Sequence, residues 1–457
     1  MNTARSALTR ALLAARGCAA PLPPVRIVHL GLGAFHRAHQ AWYTAHAGDA
    51  AEWGIASFTG RRPAMAEVLS GQDGLYTLIE RSSTTDRYEI VTSLVDALDG
   101  ANISRLAEVF ASPDVAVVTI TVTEAGYRLR VDGSPDSGDP ALVQDLAALQ
   151  SAASSQAQLG GLSLTTMLGR LLAGLEARRR MSGPAIAVVP CDNLPANGAL
   201  MSRGTVQAAE MVSPRLAEWI ARNVSFVSTS VDRITPRTTA ADAELLNAQQ
   251  DWIDAAPVVT EPFRDWVLSG SFPAGRPAWD DVGARFVDDI QPWELRKLWL
   301  LNGAHTLLSF GGLLRGHETV AQAIADPALS AKVEEFWDEA SAQLPPGLGV
   351  DSYRGALRER FRNSRIEYRL AQIAEDGSRK LALRIVPVAE AQLKTGRLPR
   401  GAAFAIACWI AHGPDRPVSL SAAIASVSPY LAARDAFVSA VGDYLSEWPP
   451  RLTARPT

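Results

Sequence analysis

The stretch Val25-Arg26-Ile27-Val28-His29-Leu30-Gly31-Leu32-Gly33-Ala34-Phe35-His36 decides how this chain folds. Val25 to Leu30 reads as a short buried strand, Gly31-Leu32-Gly33 as a turn, and Phe35 to Ala47 as a helix. A strand, a glycine turn and a helix in that order open a dinucleotide-binding α/β unit. The glycines let backbone approach a pyrophosphate, and the helix N-terminus supplies N–H donors and the positive end of its dipole. Gly31, Gly33, Ala34 and Phe35 are therefore candidate cofactor contacts. His36 stands where the usual fingerprint has a third glycine, so an ordinary tight strand-helix turn is the alternative reading of this motif alone.

Working outward, strand-like runs recur at Trp53 to Phe58, Tyr76 to Glu80, Glu89 to Leu94, Val115 to Val122 and Ala185 to Pro190. Such continuous apolar strands suit a sheet covered on both faces. From about Trp293 onward, long Ala/Leu/Arg segments take over at helical spacing. The expected architecture is an α/β Rossmann-type N-terminal domain followed by a mostly α-helical C-terminal domain. Residues 1–24 form an N-terminal extension, 25–222 the dinucleotide-binding domain and 223–457 the substrate-binding domain. The seam falls as late as about residue 288 if Phe226 to Pro236 still joins the first sheet. Arg5, Arg10 and Arg16 interrupt any signal-peptide apolar core and make the extension an amphipathic lead-in helix.

A chain of 457 residues, 47% hydrophobic and 20% charged, has the composition of a globular protein of two or three packed units. Its net charge of −4 provides no basic field for nucleic acid or an anionic membrane. No apolar run approaches the roughly 20 residues of a membrane helix. Three scattered cysteines, Cys18, Cys191 and Cys408, support neither a disulfide framework nor a zinc cluster, so a reducing cytoplasm, a small-molecule partner and no metal are expected.

Three further segments carry chemistry. After the second strand the chain reads Ser57-Phe58-Thr59-Gly60-Arg61-Arg62, with no acid for a ribose 2'-hydroxyl and two arginines suited to a 2'-phosphate. NAD held through Thr59 and NADP held through Arg61 both remain open. Cys191-Asp192-Asn193-Leu194-Pro195 follows a strand at the sheet edge where doubly wound folds bind ligands. The amide of Asn193 suits an alkoxide there, and a helix N-cap by Asp192 or Asn193 is the alternative.

The third segment is Lys297-Leu298-Trp299-Leu300-Leu301-Asn302-Gly303-Ala304-His305, where a cation, an amide and an imidazole punctuate an apolar helix. At 3.6 residues per turn, positions 297, 302 and 305 lie within about 140° of one another. Only four of the 44 basic residues are lysines, Lys297, Lys332, Lys380 and Lys394. Burial lowers an amine's pKa toward neutrality, as a general base for an alcohol requires, and arginine cannot follow. A lysine snorkelling from a helix end and a satisfied core histidine are the alternatives.

Taken in order, Gly31 to Gln40, Gln72-Asp73-Gly74-Leu75-Tyr76-Thr77, Thr123-Glu124-Ala125-Gly126-Tyr127, Asp192-Asn193-Leu194-Pro195, Val231-Asp232-Arg233-Ile234-Thr235-Pro236 and the Lys297/Asn302/His305 helix resemble the mannitol dehydrogenase family. That family comprises long-chain polyol dehydrogenases and hexuronate reductases. The resemblance implies a metal-free site in the cleft between the two domains, with Lys297 taking the hydroxyl proton. Asn193 and Asn302 hold the oxyanion, His305 bonds a substrate hydroxyl, and Glu294 gates proton exit. Gln372-Ile373-Ala374-Glu375-Asp376-Gly377-Ser378-Arg379-Lys380 is similar to the family's substrate-end loop, with Lys380 at the family's lysine.

Mannitol 2-dehydrogenases tend to carry arginine at the position of Gln372, whereas the Gln-Ile-Ala form is closer to fructuronate reductases. Arg384, or Arg369 nearby, suits a substrate carboxylate or phosphate. The implied activity is NAD(P)-dependent interconversion of a polyol and a ketose of the mannitol/fructose type. Hexuronate (fructuronate) reduction is the alternative, and a nucleotide-binding sensor without catalysis is the reading from another class. A monomer is favoured.

Overall fold

Residues along the apolar runs alternate between two cores. Val28, Leu30, Ala56, Phe58, Val118, Ile120, Ile186 and Val188 are buried in one cluster, and Ile27, Ile55, Val117, Ala187 and Val189 in another. The period of two that defines a strand thus persists inside sequences that look uniformly apolar. These runs form β1 (Val25–Leu30), β2 (Gly54–Phe58), β3 (Leu94–Leu98), β4 (Val117–Ile120) and β5 (Ile186–Pro190), joined by β6 (Val224–Phe226). Every neighbouring pair is parallel. Their order, β3-β2-β1-β4-β5-β6, is that of a doubly wound dinucleotide-binding sheet.

The structure, a computed structural model, describes residues 5–18, 22–413 and 419–447. Contacts divide it into two units, Met1–Ile290, which holds the sheet, and Gln291–Thr457. Helices Ile103–Ala111, Met167–Arg180 and Asn197–Val212 cover one face of the sheet. On the other lie α1 (Ala34–Ala38), α2 (Gln40–His46) and the fully buried Trp266 and Trp279. Two small sheets join that second core: the hairpin Tyr76–Arg81/Asp86–Val91 beside Val258–Thr260, and Ser228–Asp232 paired with Asp265–Ser269.

Three expectations are corrected. Glu89 to Leu94 is not one strand: the hairpin ends at Val91 and β3 begins at Leu94. Between them the Thr92 carbonyl takes a bond from Arg10 Nη2 (2.8 Å) and the Ser93 hydroxyl bonds the Ala41 carbonyl (2.7 Å), turning the chain from one sheet to the next. The helix expected from Phe35 to Ala47 breaks at His39, whose φ of −121° and ψ of −88° are not helical. Among the described residues of the extension only Arg10–Ala15 is helical, while Ser6–Ala7 pairs with Trp252–Ile253. Arg10 serves the carbonyls of Thr92 and Leu94 rather than a solvent-facing stripe.

Among its described residues the second unit contains no strand, only an isolated bridge between Thr319 and Arg369. Its central rod is continuous: α3 (Gln291–Arg296), a π-helical turn over Lys297–Gly303, and α4 (Ala304–Leu314). Around α4 pack Pro327–Ser341 and Arg400–His412. No helix among the described residues is long and apolar enough to cross a membrane.

Candidate active site

At the carboxyl end of β1 the two glycines have different reasons to be glycine. Gly31 has φ +114°, and a Cβ there would lie 2.1 Å from the Thr121 carbonyl oxygen. Its N–H and that of Leu32 both donate to the Phe58 carbonyl (2.9 and 3.0 Å), locking the turn onto β2. Gly33 caps α1 at φ −134°, open to any residue, and the nearest atom to its absent Cβ is 3.5 Å away. Within the protein nothing excludes a side chain at Gly33, so the cradle is shaped for something approaching from outside. The N–H groups of Gly33, Ala34 and Phe35 begin the helix and have no intrahelical acceptor. This arrangement fits a pyrophosphate.

His36, in place of the third glycine, lies flat on His29 of β1, with ring centroids 3.4 Å apart and planes 7° apart. Helix and strand meet here through stacked rings instead of a missing side chain. Burial holds His29 down to about 3 and His36 well below its ordinary range, so both rings are neutral. His29 is fixed between the hydroxyls of Thr119 (2.8 Å) and Thr121 (2.9 Å). Because α1 stops after five residues, its last carbonyls need partners. Tyr76 donates to the Arg37 carbonyl (2.6 Å) and the buried Arg233 to that of Ala38 (2.6 Å). The segments around Tyr76 and Arg233 therefore act as struts behind the dinucleotide turn.

Thr59, at the end of β2, is buried, and its hydroxyl accepts from Gly100 N (3.0 Å). It is engaged inside the protein rather than offered to a ribose. Arg170 reaches the carbonyls of Thr59 (3.2 Å) and Gly60 (2.6 Å), fixing the turn, while Arg61 and Arg62 are exposed beyond it. Sequence reasoning sought an acid at the end of β2 and missed Asp99, which follows β3. The Thr59 hydroxyl lies 3.5 Å from the Asp99 carboxylate, and the strand order, which sets β3 beside β2, was the signal that places it here.

Asn193 lies exposed on the loop after β5. Neither Asp192 nor Asn193 is an N-cap: the helix begins at Asn197 after Ala196, whose φ is +47°. Asp192 instead folds the loop, accepting from Leu194 N (2.7 Å), and Tyr127 of the Thr123 to Tyr127 segment donates to it from beneath. Burial raises the Tyr127 phenol well above its ordinary range, so Tyr127 keeps the proton of that bond. Asn197 ties the loop to Pro190 O (3.2 Å) and Thr229 O (3.1 Å).

In the second unit, the π-helical turn changes the arithmetic of the central rod. Residues five apart lie about 140° apart on an α-helix; the i→i+5 ladder winds less per residue and so brings positions 297 and 302 closer to one face than an α-helix would. Two groups brace the widened turn: Trp337 Nε1 donates to the Leu300 carbonyl (2.7 Å), and Gly303 leaves space for Phe336, 2.5 Å from where a Cβ would lie. Lys297 and Asn302 are half-buried, as is Glu294 on α3. His305 is buried, its ring 4.8 Å from Phe361 and 5.0 Å from Tyr368.

Thr306 donates to the Asn302 carbonyl (3.0 Å) and accepts from Arg384 Nη1 (3.2 Å), which brings Arg384 into this cluster. Lys380 sits one turn before Arg384 on α5 (Gly377–Arg384), with its ammonium on the Ile373 carbonyl (2.9 Å). Gln372 is exposed, and Arg369 is exposed and paired with Glu367 (3.4 Å). Among the described residues no three or more His, Cys, Asp or Glu are grouped to hold a metal ion.

Comparison with known proteins matches residues 25–281 to the mannitol dehydrogenase Rossmann domain and 289–417 to the mannitol dehydrogenase C-terminal domain. The chain is 35% identical to D-mannonate oxidoreductase of Escherichia coli (strain K12) over 400 residues, 85% of this chain and 79% of that protein. It is also 35% identical to mannitol 2-dehydrogenase of Cereibacter sphaeroides over 395 residues, 84% and 80% of the two chains. Among solved structures, Pseudomonas fluorescens mannitol 2-dehydrogenase in ternary complex with NAD and D-mannitol superposes with TM-score 0.74 at 32% identity, over 97% of this chain and 94% of that one.

Proposed function

The chain belongs to the mannitol dehydrogenase family of oxidoreductases, and on that premise we propose that it interconverts a polyol and a ketose, of the mannitol/fructose type, with NAD(P) as redox partner. The observation that carries this reading is the π-helical turn that spans Lys297 and Asn302 and runs into the helix of the buried His305. Lys297 takes the proton of the substrate hydroxyl. The amide N–H groups of Asn302 and Asn193 stabilise the oxygen as charge develops on it, and preplaced donors of this kind lower the barrier most where water is excluded. His305 bonds a neighbouring hydroxyl and fixes which carbon reacts. Glu294, one turn before Lys297, passes the proton outward. When bound, the oxidised nicotinamide supplies the hydride acceptor.

The turn at Gly31 and Gly33 supports a dinucleotide, while Asp99 and the pair Arg61 and Arg62 pull toward NAD and NADP respectively. We take NAD as the partner. The enzyme is read as a cytoplasmic monomer. Mannitol, arabinitol, fructose and fructuronate, assayed by reduced-cofactor absorbance with both cofactors, test the reading; no turnover of any of the four with either cofactor defeats it.

A further inference from the structure

We propose that Asn197 is a positioning residue for the hydride-transfer step: its side-chain amide, inserted between two backbone segments at the end of the sheet, sets where the amide of Asn193 stands. The inference rests on the reading above, in which Asn193 holds the substrate oxygen.

A short polar side chain at the start of a helix ordinarily caps that helix. The helix Asn197–Val212 has no side-chain cap, and Ala196 holds the cap position at φ +47°. Asn197 is fully buried and spends its amide elsewhere. Its Oδ1 accepts from Thr229 N (2.8 Å) while its Nδ2 donates to Thr229 O (3.1 Å). Such a reciprocal exchange is what the opposite residue of an antiparallel strand would offer. Nδ2 also donates to the carbonyl of Pro190, the last residue of β5 (3.2 Å), and lies 3.4 Å from Asp192 Oδ1. The Thr229 hydroxyl donates to the same Pro190 carbonyl (2.6 Å). One amide therefore joins β5 to the strand Ser228–Asp232, which is itself paired along its length with Asp265–Ser269. Gly198 permits the approach, since a Cβ there would lie 2.5 Å from Ser228 N.

Asn193 sits inside the loop that this amide closes. Pro190 and Asp192 precede Asn193, Asn197 follows it, and the contacts of both sides meet at one side chain. The left-handed backbone at Ala196 is a conformation that L-residues rarely adopt and that persists only where the surroundings impose it. The residue type is demanding as well. An amide carries donor and acceptor in one plane, whereas aspartate lacks the donor, leucine lacks both and glutamine is a methylene longer. Donors that stabilise developing charge act only when they are placed beforehand. A displaced Asn193 should therefore cost turnover, while the dinucleotide turn at the end of β1, built from other residues, keeps its cofactor affinity.

The test uses the full-length enzyme with whichever of mannitol, arabinitol, fructose and fructuronate it turns over fastest, and compares Asn197→Asp, Asn193→Ala and the double variant. A misplacement of about 1 Å costs on the order of 10²-fold, so Asn197→Asp, which sets a carboxylate against two carbonyls, should lower kcat at least about tenfold with Kd for NADH nearly unchanged. In the Asn193→Ala background the same substitution should add little, because residues acting as one unit lose their effect only once. A merely structural role would instead multiply the two losses. Thr229→Val removes only the hydroxyl bond to Pro190 and serves where Asn197→Asp does not fold; a smaller loss with the same split between kcat and cofactor Kd is expected. Multiplying losses, cofactor affinity falling as far as kcat, or wild-type kcat in both Asn197→Asp and Thr229→Val while Asn193→Ala is slow, each overturns the inference and leaves the hydride-transfer reading standing. Wild-type kcat in Asn193→Ala defeats the oxyanion assignment of the parent reading itself.

Discussion

Replacing each glycine of the dinucleotide turn by alanine separates folding from cofactor binding. In Gly31→Ala the new methyl would lie 2.1 Å from the Thr121 carbonyl oxygen, at a φ of +114° that L-residues rarely adopt. The left-handed conformation costs about 1–2 kcal/mol and the forced shift of β4 backbone a further 1–3 kcal/mol. A loss of about 3 kcal/mol lowers Tm by roughly 6 °C or more. In Gly33→Ala the nearest atom lies 3.5 Å from the methyl and φ is −134°, so stability should hold within about 0.5 kcal/mol. That methyl instead occupies the surface a pyrophosphate must approach, and Kd for the reduced cofactor should rise at least about tenfold, the equivalent of 1.4 kcal/mol. Differential scanning calorimetry and quenching of protein fluorescence by NADH measure the two quantities. Gly33→Ala binding cofactor with unchanged Kd, or losing as much stability as Gly31→Ala, would refute the division of labour between the two glycines.

Three further outcomes are expected. Lys297→Ala and Lys297→Arg should both keep cofactor affinity and lose turnover by about 10²–10⁴-fold, because arginine cannot release its proton; an active Lys297→Arg removes the base assignment. Tyr127→Phe leaves the buried Asp192 carboxylate short of its donor, at about 1–3 kcal/mol by denaturant unfolding, and should lower kcat more than cofactor affinity because the Asn193 loop loosens; wild-type kcat and stability together would remove that strut. Glu339 accepts from Gly401 N (2.7 Å) and Ala402 N (3.0 Å), yet burial raises its carboxyl to about 7. The folded state then holds a proton that the unfolded chain releases earlier. Stability from this group is full below the ordinary carboxyl value and declines by about 3 kcal/mol as pH rises to 7. Glu339→Gln should flatten that decline in unfolding curves taken from pH 5 to 8, and an unchanged slope disproves the assignment.

Much of the first unit was legible because its strands are buried on both faces. Uniform apolar runs, glycine turns and the spacing of Val25, Trp53, Val115 and Ala185 are local signals, and a doubly wound sheet is built from local units. What escaped depends on partners distant in sequence. The break at His39 is supported by Tyr76 and Arg233, which take the carbonyls freed there. Asp99 reaches the Thr59 turn only because the strand order sets β3 beside β2. Thr59 looked available in sequence, but Gly100 claims its hydroxyl once the strands are aligned.

The second unit shows the same limit in its most consequential form. Lys297, Asn302 and His305 stood out because polar residues in an apolar helix need a reason, and the scarcity of lysine sharpened the first. The 3.6-residue period nevertheless left Lys297 and Asn302 about 140° apart, a poor arrangement for two groups that act on one oxygen. The π-helical turn narrows the discrepancy, and no propensity along Lys297 to Gly303 announces it. Its supports come from another helix, where Phe336 fills the space left by Gly303 and Trp337 bonds the Leu300 carbonyl. Glycine at 303 proves to be the position that admits Phe336. The two candidate arginines follow the same logic, since Arg369 pairs with Glu367 at the surface while Arg384 meets the hydroxyl of Thr306. Residue type therefore identified the chemical groups in advance, while the partners supplied or withheld by remote segments decided which of them were left to act.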